Sequence, residues 1–483
     1  MEGLVVDLFA GGGGASTGLA QALNRDPDIA INHDAEALSM HMANHPGTRH
    51  LLNDITRVLP LEATEGRPVA ILHASPDCTH FSKAKGGKPR SQYIRDLAWV
   101  VVRWAEDTRP MLITLENVEE FQTWGPLDHE GHPIKEQAGQ TFRAWVRRLR
   151  RLGYSVEWRE LLACDYGAPT KRKRLFVVAR RDGGRIVWPA PTHGAPDSAD
   201  VRTGRLLPWR TAAECIDWSL TGQSIFNRKK PLAEKTQRRI AEGLRRYVIT
   251  ADHPFLLTAG PASPVLSRQF GCSIGQSVME PHPTITQCNH DALITANLIK
   301  MRGANIGTPA DEPLRTISAQ GQHHALVTSC LVKYYGNESG GVPVSSPLHT
   351  VTSRDRMALV SASLNVGERY AQVRKFLRDW CAIAPDKEAE FSINDTTYRI
   401  TDILMRMLTP RELYTAQGFP MSYIIDHGAD GRPLTKTAQV RMCGNSVPPQ
   451  LVAALVRANG PETWHVEQHE EWPLLSACAA GWK

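Results

Sequence analysis

A cysteine stands in the run Ser75-Pro76-Asp77-Cys78-Thr79-His80-Phe81-Ser82, directly after an apolar stretch at 70–73 that reads as a strand. A loop at the carboxyl end of a parallel strand is where ligands bind in an open α/β sheet. A thiol exposed there can act as a thiolate nucleophile, whereas a thiol inside a core is inert. The residues that follow, from Ser82 through Lys83 and Lys85 to Arg90, are basic and glycine-rich. They suit a loop that closes over a phosphate backbone. Glu116-Asn117-Val118 ends another apolar run. A carboxylate at a strand end can serve as a general acid, although the tripeptide alone reads more simply as a solvated loop glutamate. Arg172 and Arg174 enter a third strand two residues apart, so in an extended segment both point the same way. Two guanidinium groups on one face can orient an anionic or carbonyl-bearing substrate; a solvated basic edge is the plainer account.

A fourth element, Asp7-Leu8-Phe9-Ala10-Gly11-Gly12-Gly13-Gly14, passes from a strand through a glycine turn into a helix. Glycines let backbone N–H groups approach a cofactor where a Cβ would clash. Many nucleotide enzymes use such turns, so this one is unspecific by itself. Asp34 and Glu36 follow a second strand, where an acid could hold ribose hydroxyls. Asp54-Ile55 offers a further carboxylate, suited to reading an adenine amino group.

These residues need a scaffold. Short apolar runs at 4–9, 70–73, 112–116, 155–161 and 174–179 predict strands; amphipathic patterns at 16–24, 35–44, 94–108 and 140–152 predict helices. Their alternation predicts βαβ units and a parallel sheet over residues 1–182. From 183 to 401 the texture turns to Pro, Gly, Ser, Thr and His with short β-type runs. Ala-Leu pairs at 292, 325 and 358 head similar phrases with a period of 33 residues, which suggests a small stacked β unit. Residues 402–483 return to α/β texture, with helix starts at Pro410 and after Gly444-Asn445-Ser446-Val447.

The 483 residues suit two or three domains, and a hydrophobic fraction of 42 % excludes a disordered chain. A net charge of +6 is compatible with a polyanionic partner. The densest basic stretch, Arg228-Lys229-Lys230 with the arginine pairs at 238–239 and 245–246, is the candidate for phosphate contact. Nine cysteines form no C-x-x-C pair, which argues against a disulfide framework or a zinc ribbon, and no metal is expected. Neither a signal peptide nor a membrane span is expected, so a cytoplasmic protein is.

Taken together and in this order, the glycine turn at 7–14, the Cys78 loop, Glu116-Asn117-Val118, Arg172 with Arg174, Gln417-Gly418-Phe419-Pro420 and Gly444-Asn445-Ser446-Val447 resemble the C5-cytosine DNA methyltransferase family of bacterial or phage type. The resemblance covers roughly 1–182 and 402–458. It implies a Rossmann-like, S-adenosylmethionine-dependent catalytic domain with a β-rich target-recognition region, containing the 33-residue repeats, inserted at 183–401. It implies that Cys78 adds to C6 of a cytosine flipped out of duplex DNA, that Glu116 holds a proton at N3, and that Arg174, supported by Arg172, contacts the base O2. Cofactor contacts are implied for Asp7, Phe9, Ala10, Gly11, Gly13, Gly14, Asp34 or Glu36, Asp54, Ile55, Asn445 and Ser446. DNA contacts are implied for Ser82, Lys83, Lys85, Arg228, Lys229 and Lys230. The chain departs from the family pattern twice. Asp77 stands where the family usually has Pro before the nucleophile, and Thr170 where it usually has Gln. A monomer is expected, and a cognate restriction endonuclease is left open. The competing readings are an RNA cytosine C5-methyltransferase of the same fold, a catalytically inactive DNA-binding relative, and a nucleotide-dependent dehydrogenase.

Overall fold

The computed structural model describes residues 3–77, 96–220, 222–250 and 396–460, with shorter segments at 262–268, 282–283, 291–300, 327–329, 332–333, 341–343, 357–358, 368–381 and 390–393. Cys78, Ser82, Lys83 and Lys85 lie outside the described residues.

The expected α/β architecture is present as a seven-stranded sheet. Its strands are β1 (Leu4–Leu8), β2 (Ile29–Asn32), β3 (Arg49–Leu52), β4 (Val69–Ala74), β5 (Leu112–Asn117), β6 (Ser155–Leu162) and β8 (Lys173–Arg180), with a two-residue strand β7 (Thr170–Lys171) just before the last. The order is β3-β2-β1-β4-β5-β8-β6. The first five strands run parallel, and β8 lies antiparallel to both β5 and β6. Strands β1, β4 and β5 are buried along their whole length, as their mainly apolar runs allow when both faces of a parallel sheet are covered, with Asp7, His73 and Glu116 among the buried polar exceptions.

The alternation of side chains divides the core into two layers. Leu4, Val6 and Leu8 of β1 join the helices Trp99–Thr108 and Gln140–Arg151 on one face. Val5 joins helix α1 (Gly14–Leu23) and the helix Pro449–Asn459 on the other. Helix Gln140–Arg151 shows why the pattern works. Phe142, Trp145, Val146 and Leu149 recur at helical spacing and are buried, while Arg143, Arg147, Arg150 and Arg151 face solvent. The predicted helix at 94–108 is described as helix from Trp99. Helix Pro410–Gln417 begins on a capping box formed by Thr409 and Glu412 and ends on Gly418 at a φ of 93°.

Helix α1 and the helix Pro449–Asn459 lie unusually close. A Cβ on Gly18 would overlap the Pro449 carbonyl, and one on Gly14 would overlap the Val447 carbonyl. The chain therefore returns after residue 402 to complete the layer that its first helix began.

A second, mainly antiparallel sheet is organised around the strand Thr396–Met407, which runs across residues 401 and 402. It pairs with Gln223–Ser224, Asp291–Lys300 and Glu390–Ile393. The first repeat phrase falls in Asp291–Lys300, and its strand pairs antiparallel with Val327–Ser329 of the second. Like repeats stacked by translation would place equivalent strands parallel, so these pairings do not reproduce the expected stacked unit; most of the repeat lies outside the described residues. No helix among the described residues is long and apolar enough to cross a membrane.

Candidate active site

The strand order reverses between β1 and β4, and the crevice outside their carboxyl ends is where an open α/β sheet binds ligands. The glycine turn leaves β1 there and the Cys78 loop leaves β4 beside it. The two are tied together: Ser75 Oγ donates to the Phe9 carbonyl at 3.3 Å, and Ser75 N–H donates to the Leu8 carbonyl at 3.3 Å. Phe9 itself sits at a φ of 63°, a left-handed conformation that a bulky residue holds only when its surroundings impose it. Such strain gathers at ligand sites.

The four glycines of the turn do not share one reason. A Cβ on Gly13 would overlap the Tyr423 hydroxyl, which donates to the Gly12 carbonyl at 2.6 Å, and Gly14 is pressed on Val447. Those two are small because the protein packs on them. Gly11, at a φ of 52°, is different: the atoms nearest a Cβ there are Phe9 O at 3.8 Å and Asn32 Nδ2 at 3.9 Å. Nothing presses on it more closely than ordinary van der Waals contact, so it is the glycine of the three suited to the close approach of a ligand.

Beneath the turn runs a buried polar chain. Ser16 Oγ donates to Asp7 Oδ2 at 2.6 Å, His41 Nε2 lies 2.8 Å from Ser16 Oγ, and His41 Nδ1 lies 2.8 Å from His50 Nε2. His45 bridges Asp26 (2.8 Å) and Thr17 (3.3 Å). Burial pushes the Asp7 carboxyl up to about 7, although the Ser16 hydrogen bond opposes it. Burial likewise drives the His41, His45 and His50 imidazoles below their usual range. Asp7 is thus sealed under the turn, a supporting position for a residue expected among the cofactor contacts.

The three groups expected at the base side converge. Glu116 is buried at the end of β5. Arg174 Nε stands 3.0 Å and Arg172 Nη2 3.8 Å from Glu116 Oε1. The same-side placement predicted for the two arginines holds. Lys173, between them, turns away to Glu119 (2.8 Å) and Glu160 (2.6 Å). Arg172 is 3 % exposed and also donates to the Gly444 carbonyl at 3.1 Å, which links the pair to the Asn445 segment. Glu116 Oε1 is buried inside this ion-paired group yet accepts no hydrogen bond. Next to it, Asn117 Nδ2 donates to the Pro76 carbonyl at 3.1 Å, two residues before Cys78. Thr170 is fully buried in β7, which pairs in parallel with His282–Pro283 as a separate two-stranded sheet. Asp77 is exposed.

Several contributors had no local signal. Arg103 donates to the carbonyls of Ile55 (2.9 Å), Thr56 (2.8 Å) and Val58 (2.9 Å) and so fixes the turn that carries Asp54. Ile55 is buried in the core. Gln417 Nε2 donates to the Ser446 carbonyl at 2.8 Å, and Ser446 is buried while Asn445 is exposed. Asp34 does not stand free over the crevice. It caps helix α2 (Ala35–Asn44) through the N–H groups of Glu36 (3.0 Å) and Ala37 (3.2 Å), and it is ion-paired with Arg441. Burial raises its carboxyl, but Arg441 and the two N–H groups outweigh burial and hold it below its usual range. Glu36 is bound by Arg441 as well, at 2.9 Å.

Arg228, Lys229 and Lys230 are exposed. The neighbouring arginines are partly engaged: Arg238 pairs with Glu234 at 2.6 Å, and Arg245 and Arg246 both pair with Glu242. The four described cysteines, Cys164, Cys215, Cys381 and Cys443, are buried with thiols pushed up by burial, which makes them unreactive.

A family model described as C-5 cytosine-specific DNA methylase matches residues 4–241 and 332–460. The Type II methyltransferase M.AquIA of Picosynechococcus is 28 % identical over 237 residues, covering 45 % of this chain and 88 % of its own length. The Type II methyltransferase M.SacI of Streptomyces achromogenes is 29 % identical over 238 residues, covering 44 % of this chain and 57 % of its own length. Among solved structures, a mutant of DNMT2 from Spodoptera frugiperda aligns over 94 % of this chain and 99 % of its own, at 13 % identity and a TM-score of 0.48.

Proposed function

Because the chain belongs to the C-5 cytosine-specific DNA methylase family, we propose that it transfers a methyl group from S-adenosylmethionine to C5 of a cytosine flipped out of duplex DNA, with Cys78 as nucleophile. One observation carries this reading: Glu116 Oε1 is buried, flanked by two guanidinium groups and without a hydrogen bond, beside a loop base that Asn117 fastens at Pro76. Carbon 5 of cytosine is a poor nucleophile, and covalent attack at C6 is the way to activate it. The Cys78 thiolate forms the Sγ–C6 bond, and the electron pair of the C5–C6 double bond is released towards C5. A proton held at N3 by Glu116 keeps that pair in a neutral enamine. Arg174 and Arg172 hold Glu116, and Arg174, supported by Arg172, donates to the base O2. After C5 is alkylated, a base takes the C5 proton, the C5–C6 double bond re-forms as the thiolate leaves, and the N3 proton returns to Glu116.

The residues present fit the cofactor. Gly11 permits close approach, Phe9 is held in a strained conformation beside it, and Asp54 is set on a turn braced by Arg103. When bound, S-adenosylmethionine supplies an electrophilic methyl group. Flipping the base costs a few kcal/mol, which closing loops and phosphate contacts offset. Ser82, Lys83 and Lys85 in the Cys78 loop, and the exposed Arg228, Lys229 and Lys230, are assigned to those contacts.

The test is to map C5-methylcytosine in DNA from cells expressing the chain and from cells expressing Cys78→Ser. The wild-type DNA is expected to carry a sequence-specific pattern absent from the control. The same pattern in both would overturn the assignment.

A further inference from the structure

The helix Gln140–Arg151 carries five arginines and no acid. Three of them, Arg143, Arg147 and Arg151, are exposed and recur four residues apart, so they form one row along the helix, about 12 Å from end to end. Like charges at that spacing repel and weaken the helix that carries them. The helix dipole favours cations in the last turn, which accounts for Arg148, Arg150 and Arg151, but it does not favour Arg143 near the start. The arginines at 238, 245 and 246 are offset by acids of their own helical segment. Arg147 and Arg151 are not: among the described residues neither has a hydrogen bond or an ion pair.

Arg147, Arg148 and Arg151 form one wall of a groove of about 460 Å³ whose other wall is the helix Trp99–Thr108. The lining holds one carboxylate, Glu106, and Arg148 Nε donates to it at 2.5 Å. Arg103 lies in the far wall. Its terminal nitrogens donate to backbone carbonyls, its Nε is buried without a partner, and among the described residues no acid pairs with it. Arg103, Arg147 and Arg151 thus leave the groove with three guanidinium charges that no acid offsets. The groove is separate from the crevice. Arg151 leads towards β6, whose first residue, Ser155, pairs with Arg180; Arg180 also pairs with Leu112, the first residue of β5. The row therefore runs down the flank of the domain to the amino ends of the parallel strands, whereas Glu116 and the glycine turn stand at the carboxyl ends.

We propose that this flank is a second, sequence-independent contact for duplex DNA, holding the phosphate backbone of a stretch that lies outside the crevice. A compact anion meets one or two guanidinium groups; a row spread over about 12 Å fits a linear polyanion, and the arginine fork suits phosphate oxygens. Backbone contacts of this kind carry no sequence information, and they keep a protein on the polymer while it slides between sites. The inference rests on the DNA substrate of the reading above, not on the chemistry at Cys78.

The experiment is a fluorescence-anisotropy titration of the full chain with a duplex of about 20 A·T pairs, which contains no cytosine, at about 50 to 200 mM salt. Arg147→Ala/Arg151→Ala is expected to bind about 10-fold more weakly than wild type, with the slope of log affinity against log salt reduced by about 2. Arg147→Lys/Arg151→Lys keeps the charges and is expected to stay within about 3-fold of wild type. Arg432→Ala/Lys436→Ala removes the same charge from exposed positions elsewhere and is expected to stay within about 3-fold as well. Unchanged affinity and slope in the first variant, or an equal loss in the Arg432 and Lys436 variant, would overturn the proposal. The methylation map of the Cys78→Ser control reports separately on methyl transfer, so either reading can fail without the other.

Discussion

Asp7 in β1 and Glu116 in β5 are both buried carboxylates of the central sheet, with β4 between their strands. Each keeps one oxygen without a hydrogen bond. They differ in what surrounds them. Glu116 has two guanidinium groups within 4 Å; Asp7 has one hydroxyl and, past it, a pair of histidines that burial keeps from charging. Burial raises the Asp7 carboxyl to about 7, so it takes up a proton near neutral pH and becomes part of the packing under the glycine turn. Glu116 is supplied with two cations beside it. A buried acid without a cation is a structural polar group, and one with cations is equipped to face a substrate.

Substitutions test that contrast directly. Glu116→Gln keeps the shape and removes the proton carrier; methyl transfer should fall by about 10²–10⁴-fold while S-adenosylhomocysteine affinity stays unchanged, measured by tritium transfer and calorimetry. Arg172→Ala removes a buried cation from beside Glu116 and from the Gly444 carbonyl. Denaturant unfolding should show a loss of about 3–5 kcal/mol, with less for Arg174→Ala, whose side chain is more exposed. Asp7→Asn goes the other way. At pH 8 the wild-type carboxylate is charged and buried with no cation, so the neutral isostere should stabilise the protein by on the order of 2 kcal/mol.

The smallest effect is in the pH profile, and its sign follows from proton counting. His41, His45, His50 and His73, the last driven by burial to about 3, resist protonation when folded. Their contribution is complete above the unfolded value near 6.5 and is lost as pH falls below it. Asp7 acts oppositely: raised to about 7, it favours the folded state most below pH 3.8 and loses that contribution as pH rises towards 7. Four histidines against one carboxyl should make the melting temperature fall between pH 7 and pH 5. Asp7→Asn removes the opposing group and should steepen the fall.

Much of this site was legible beforehand because it depends on local spacing. The strand ends placed Glu116, and the two-residue step placed Arg172 and Arg174 on one side with Lys173 on the other. What escaped depends on residues far apart in the chain. Gly13 and Gly14 read as cofactor-holding glycines, yet Tyr423 and Val447 explain their size. Asp34 and Glu36 read as ribose acids, yet Arg441, some 400 positions away, engages both. The arginines at 238, 245 and 246 read as phosphate contacts, yet acids three or four residues away on the same helical segment pair with them.

The close seat of the helix Pro449–Asn459 on Gly14 and Gly18 also sets a timetable. At a synthesis rate of roughly 5–20 residues per second, about 430 further residues take roughly 20–90 s to follow Gly18 out of the ribosome. Through that interval β1 and α1 lack the layer that covers them, and the glycine turn lacks Tyr423 and Val447. The nascent chain must keep an apolar groove shielded for tens of seconds, which makes it a natural client for chaperones. The crevice is completed only when these late segments emerge and pack on the glycine turn.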